Sequence, residues 1–284
     1  MSILLAVVVL LATLVGLSLG LLGGGGSILT VPLLTYVAGM DAKEAIAASL
    51  FVVGTTSVVS TIAHARRGNV QWRTGLIFGV ASMAGAFLGG LLGGFIPSVI
   101  LMIAFALMMI ATATAMLRGR KKQADTGEKK ALPLVKILAE GLAVGLVTGL
   151  VGAGGGFLVV PALALLGGLP MPIAVGTSLL VISMKSFAGL AGYMTSVSLD
   201  WPLVLAVTAA ALVGALIGAR LTSVVPEQAL RKGFGVFVLV MGVFILYQEL
   251  PDPWGLVVVG VAALLAVTAL AYRRLTRSTQ PVSS

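Results

Sequence analysis

The chain is a succession of apolar runs, most about 20 residues long, broken only at charges and at proline or glycine clusters. The runs are 3–22, 27–39, 44–64, 74–94, 98–117, 133–151, 156–168, 172–195, 202–222, 232–248 and 254–272. Runs of this length predict helices that cross a bilayer, because only there can each backbone N–H and C=O be satisfied within one segment. Two runs, 27–39 and 156–168, are too short for a full crossing. No alternation of polar and apolar positions competes, so a β-barrel is not expected.

Composition agrees. Hydrophobic residues make up 59% of the 284 and charged residues 10%, against about 25% charged in soluble domains. Such a chain cannot cover a water-facing globule with polar surface. An ordinary soluble enzyme, a disordered tail and a disulfide scaffold are therefore excluded. There is no cysteine, hence no disulfide or thiolate metal site. Met1 to Leu22 lacks a basic leading region and reads as a first membrane helix rather than a signal peptide.

The chain repeats itself at an offset of 129 residues. Gly20-Leu21-Leu22-Gly23-Gly24-Gly25-Gly26-Ser27-Ile28-Leu29-Thr30-Val31-Pro32 lies over Gly149-Leu150-Val151-Gly152-Ala153-Gly154-Gly155-Gly156-Phe157-Leu158-Val159-Val160-Pro161. The register continues without a gap through Ser49 and Ser178, Trp72 and Trp201, Gly85 and Gly214, to Pro97 and Pro226. Between positions 20 and 97 there are 23 identities in 78, where this composition would give roughly one in ten by chance. The expected organisation is a first repeat over 1–118, a basic linker over 119–132, a second repeat over 133–248, and an added membrane helix with a polar tail over 249–284.

Charge then orients the halves. If each short run continues the helix before it, the basic residues divide 10 to 7 between the two faces. If each turns back at its glycines, the halves become inverted and the division is 16 to 1. Cytoplasmic loops collect Lys and Arg, so the second count is preferred. It places Arg66, Arg67, Arg73, the 118–136 cluster, Arg220, Arg231 and Lys232 in the cytoplasm, and Lys43 outside. The fold expected is an all-α polytopic protein of the cell (inner) membrane. It has two inverted repeats with glycine-rich broken or re-entrant helices, one extra C-terminal helix, the N-terminus outside and the C-terminus cytoplasmic.

Two copies of a glycine-rich break, each followed by an apolar stretch with proline and a helix bearing Ser-Leu, resemble the sulfite exporter TauE/SafE family. The resemblance runs over about residues 3–248. It implies a membrane permease for small anions: sulfite, sulfonates, other organosulfur anions or small carboxylates.

Inverted repeats with broken helices hold substrate near the midplane. Glycine permits unwound backbone and close approach, and a helix starting there directs free N–H groups and partial positive charge inward. Gly24, Gly25, Gly26 and Ser27 in one half, and Gly154, Gly155 and Gly156 in the other, are the expected anion contacts. Close helix packing is the competing explanation for such glycines. A phosphate loop is excluded, since no Gly-Lys-Ser/Thr follows either run. Pro32 and Pro161 are expected to start or kink the short helices.

Lys185 is the sharpest single residue. It stands about ten residues from either end of its run, about 15 Å from each interface, too deep to snorkel. An ionisable group at that depth points to function. A lysine neutralised by burial or paired with an acid is the bland alternative. Its repeat counterpart is Thr56. Ser178 shares its helix face, as Ser49 shares that of Thr56, so Ser49, Thr56, Ser178 and Lys185 are expected to line the path. Glu140 reads as an i,i+4 partner of Lys136 more readily than as a proton carrier. His64 reads as interfacial, and Trp72 and Trp201 as aromatic anchors.

The expected function is secondary transport of a small anion by alternating access, with a passive anion channel or a membrane assembly protein as alternatives. An enzyme is not expected, for the runs lack paired acids and histidine clusters. No metal or other cofactor is implied. The expected partners are the anion, the lipid bilayer and a coupling proton or ion. The basic linker is expected to lie on anionic lipid, and no nucleic acid is expected. Substrate, direction and oligomeric state are not legible.

Overall fold

A computed structural model describes residues 2–22, 24–118, 134–152, 154–161, 163, 169–221, 227–251, 253–257 and 260. The described residues contain no strand. Helix α1 (Ser2–Leu22) is followed by a 3-10 turn (Gly24–Leu29), a single turn α2 (Thr30–Pro32) and a π turn (Leu33–Val37). Then come α3 (Ala42–Arg66), α4 (Trp72–Phe95), α5 (Ser98–Arg118), α6 (Leu134–Val151) and the short α7 (Gly156–Pro161). Helices α8 (Met171–Tyr193), α9 (Trp201–Leu221) and α10 (Glu227–Glu249) complete the bundle. The expected linker 119–132 and nearly all of the added helix 254–272 lie outside the described residues.

Six helices are long and apolar enough to cross a membrane: Ala42–Arg66, Trp72–Phe95, Ser98–Leu117, Pro172–Tyr193, Trp201–Leu221 and Lys232–Glu249. Their outward faces carry large apolar side chains such as Leu76, Val80, Leu107, Leu205 and Val240. Water would penalise so much exposed apolar surface, whereas lipid does not. Trp72 and Trp201 stand exposed at the first positions of α4 and α9, where anchoring tryptophans belong.

The 129-residue offset reappears in the packing. Gly16 and Gly20 on α1 face Ala211 and Ala215 on α9, while Gly145 and Gly149 on α6 face Ser82 and Ala86 on α4. Each pair of contacts maps onto the other under the offset. A Cβ at any of these four glycines would run into the backbone of the facing helix. Small residues thus let two backbones approach, the packing that membrane helices use in place of a hydrophobic driving force.

Helix directions follow from such contacts. Gly176, Gly189 and Phe187 on α8 meet His64, Leu50 and Gly54 on α3, so these two repeat-equivalent helices run antiparallel. Gly235 meets Met116 and Leu117, while Gly242 meets Ala106 and Ile110, so α10 and α5 are also antiparallel. By contrast α1 runs parallel to α9, and α4 parallel to both α6 and α8. A core of Ile28, Ile46, Met102, Phe105, Val238 and Ile245 joins the first break to α3, α5 and α10.

Both prolines lie within the short helical segments. Pro32 closes the α turn, after which the bonding widens to a π turn with Ala38 N–H donating to Leu33 O at 3.0 Å. Pro161 is the last residue of α7. Proline offers no N–H, so each leaves out one bond that its amide would have donated back into the segment.

Candidate functional site

The two glycine breaks are not alike. Among the described glycines of the breaks, only Gly152, Gly154 and Gly155 have positive φ, at 70°, 60° and 66°. Gly24, Gly25 and Gly26 continue as a 3-10 turn. The second break is therefore unwound, in a conformation that L-residues with a Cβ rarely adopt. Gly156 begins α7, where the N–H groups of Leu158 and Val159 return to Gly155 O.

Lys185 reaches this unwound stretch. Its side chain is 1% exposed, and Nζ donates to Thr148 Oγ1 at 2.6 Å. Thr148, on the last turns of α6, donates its own hydroxyl to Val144 O at 2.7 Å. A Cβ on Gly155 would collide with both Lys185 Nζ and Thr148. A Cβ on Gly154 would stand 2.7 Å from Ser27 Oγ and 2.6 Å from Val53 Cγ1. The two breaks thus meet here, with Ser27 of the first against Gly154 of the second. Ser49 Oγ of α3 donates to Gly152 O at 3.0 Å and ties the same stretch to the first repeat.

Lys185, Gly154, Gly155, Ser27 and Ser49 are therefore drawn into one buried locus. Thr148 belongs to it and was not anticipated. Its repeat counterpart is Leu19, and a lone threonine in an apolar helix carries no pattern that marks it. The other expected residues are placed otherwise. Thr56 bonds back to Val52 O and Val53 O on its own helix, and Ser178 bonds back to Val175 O. Both are buried, and both hydroxyls bond within their own helices rather than to the locus. Gly24–Gly26 open the turn that carries Ser27, and that turn touches α7 and α8.

An ion pair joins Lys136 to Glu140 at 4.0 Å, the helical partnership expected of them. No described carboxylate pairs with Lys185. A lysine side chain beside unwound backbone can accept a small anion by charge and hydrogen bonding. A separate cavity of about 850 Å³ opens between α1, residues 29–37 and α10. Leu14, Phe234, Phe237 and Phe244 line it and no charged group does, so it does not suit an anion. Among the described residues no cluster of His, Cys, Asp or Glu could hold a metal.

A bundle of apolar helices around a buried, polar, glycine-broken centre defines a multi-pass membrane protein. The family description "Sulfite exporter TauE/SafE" matches residues 8–245, and the chain belongs to that family. A probable membrane transporter protein of Xylella fastidiosa is 34% identical over 241 residues, covering 83% of this chain and 92% of its own. The probable membrane transporter protein YdhB of Bacillus subtilis is 28% identical, covering 84% and 99%. MJ0441 of Methanocaldococcus jannaschii, also a probable membrane transporter protein, is 29% identical, covering 86% and 96%. No solved structure matches the chain.

Proposed function

We propose that the protein is a secondary transporter of a small anion, of the sulfite, sulfonate, organosulfur or small carboxylate kind, working by alternating access between two inverted repeats. The observation that carries this is Lys185. A buried lysine with a hydroxyl partner and no described carboxylate needs an anion beside it to hold its charge. It stands where the glycine breaks of both repeats meet, the position that transporters of this plan give their substrate. Membership of a transporter family supports the same reading.

Inversion is supported by the antiparallel course of α3 and α8 and of α5 and α10, equivalent helices pointing opposite ways. Re-entry of the glycine-led segments is supported by α6 and α8, which run parallel to α4 and hence to each other. Two successive parallel helices require the chain between them to travel back. Burial of Lys185, Ser27 and Ser49 favours a carrier over an open channel, which would keep a wet path past them. The bilayer is the surrounding partner.

Thermal unfolding of the purified chain with sulfite, thiosulfate, methanesulfonate and small carboxylates tests the site. A bound anion raises the melting temperature as its concentration passes its dissociation constant. Lys185→Ala should abolish that rise. Equal stabilisation of wild type and Lys185→Ala, or none by any anion, overturns the site.

A further inference from the structure

The charge around Lys185 is one-sided. Helix α8 packs against α3, α4, α6, α7 and the turn Gly24–Leu29. The charged and titratable groups of those elements are Lys43, Glu44, His64 and Arg66 on α3, Arg73 on α4, and Lys136 and Glu140 on α6. Apart from Glu140 they stand near helix ends, and Glu140 is held by Lys136. Glu140 also lies eight residues before Thr148, about 12 Å along α6 at about 1.5 Å per residue. The protein supplies the ammonium with Thr148 and with no counter-charge among the described residues.

Enclosing an ammonium in a dry interior without an opposite charge is strongly unfavourable, and one well-placed anion offsets most of that cost. A carrier must pass through a closed state each time it changes sides. Closed around a singly charged anion, this site is a neutral pair. Closed around nothing, it is a bare cation or an amine that must first release its proton; closed around a dianion, it carries an excess negative charge.

From this we infer that the protein is an obligatory one-for-one exchanger of monovalent anions, and that Lys185 enforces the exchange by making closure of the unloaded site slow. The inference rests on the anion site proposed above. It sets the substrate charge at minus one and predicts that net flux lags behind exchange.

The full chain in liposomes is loaded with radiolabelled methanesulfonate, 2-hydroxyethanesulfonate or, in mildly acidic buffer, hydrogen sulfite. The same anion outside should speed efflux about tenfold or more, the factor that a preference of about 1.4 kcal/mol for the loaded form produces. Sulfate and thiosulfate outside should not. Lys185→Gln should erase the acceleration, and Lys185→Arg, which keeps the charge, should preserve it. Where Lys185→Gln elutes as aggregate, the wild-type ratio and Lys185→Arg decide. Wild-type net efflux as fast as exchange overturns the inference, as does net efflux matched by an equal proton flux. Either result leaves the anion site standing if Lys185→Gln still changes transport. No flux of any of the three anions, or flux indifferent to Lys185, overturns both.

Discussion

Lys185 Nζ on α8 donates to Thr148 Oγ1 on α6 at 2.6 Å, across 37 residues of sequence and beside the unwound Gly154–Gly155. Thr148→Val keeps the side-chain shape and removes the acceptor. An unsatisfied buried partner costs ~1–3 kcal/mol, more when charged. Thr148→Val should therefore lower the melting temperature and weaken anion-induced stabilisation, while Thr148→Ser restores both. Thermal unfolding with and without sulfite reads each effect.

Gly155 and Gly68 share positive φ, at 66° and 72°, in different surroundings. A Cβ on Gly68 meets nothing within 4 Å, whereas one on Gly155 collides with Lys185 and Thr148. Gly68→Ala should carry only the backbone penalty, ~1–2 kcal/mol. Gly155→Ala should add displacement of the ammonium, destabilising further and abolishing anion binding. Equal loss of stability and intact binding in both variants would contradict this.

Matched glycines should respond alike. Gly16 and Gly145 are equivalent and abut the backbones of α9 and α4. Gly16→Leu and Gly145→Leu should each cost ~3 kcal/mol or more by overpacking. Yield of monodisperse protein by gel filtration should fall together in both.

Tyr193, fully buried, donates its hydroxyl to Leu150 O at 2.5 Å, just before the second break. Tyr193→Phe leaves that carbonyl without its partner and should cost ~1–3 kcal/mol. Amide exchange should quicken around 150–156, a change that loss of global stability alone would not localise there.

Absence of cysteine makes the membrane orientation testable without background labelling. A membrane-impermeant maleimide on intact cells should modify Asp41→Cys. It should reach Arg67→Cys only after permeabilisation. The reverse pattern would invert the proposed topology.

Much of the fold was legible because its causes are local. Apolar runs between charges marked α1, α3 to α6 and α8 to α10 to within a few residues, since a span must be continuous and apolar. The first short run, 27–39, falls on helical backbone, but as mixed 3-10, α and π turns that no hydropathy pattern separates. Lys185 stood out because an ionisable residue at that depth is expensive. Ser49 was named for its helix face, and the structure gives it a bond to Gly152 O; Thr56 and Ser178 were named on the same ground, yet their hydroxyls turn back onto their own helices.

The sequence by itself determined the helical membrane class, the duplication, the family and the exceptional lysine, each from spacing or composition along one dimension. Only tertiary structure decided that Thr148 receives the ammonium, that the second break alone carries positive φ among its described glycines, and that Ser27 approaches Gly154. These depend on how far each helix is rotated and slid against its neighbours. Packing through facing glycines sets that register, and no local pattern encodes it.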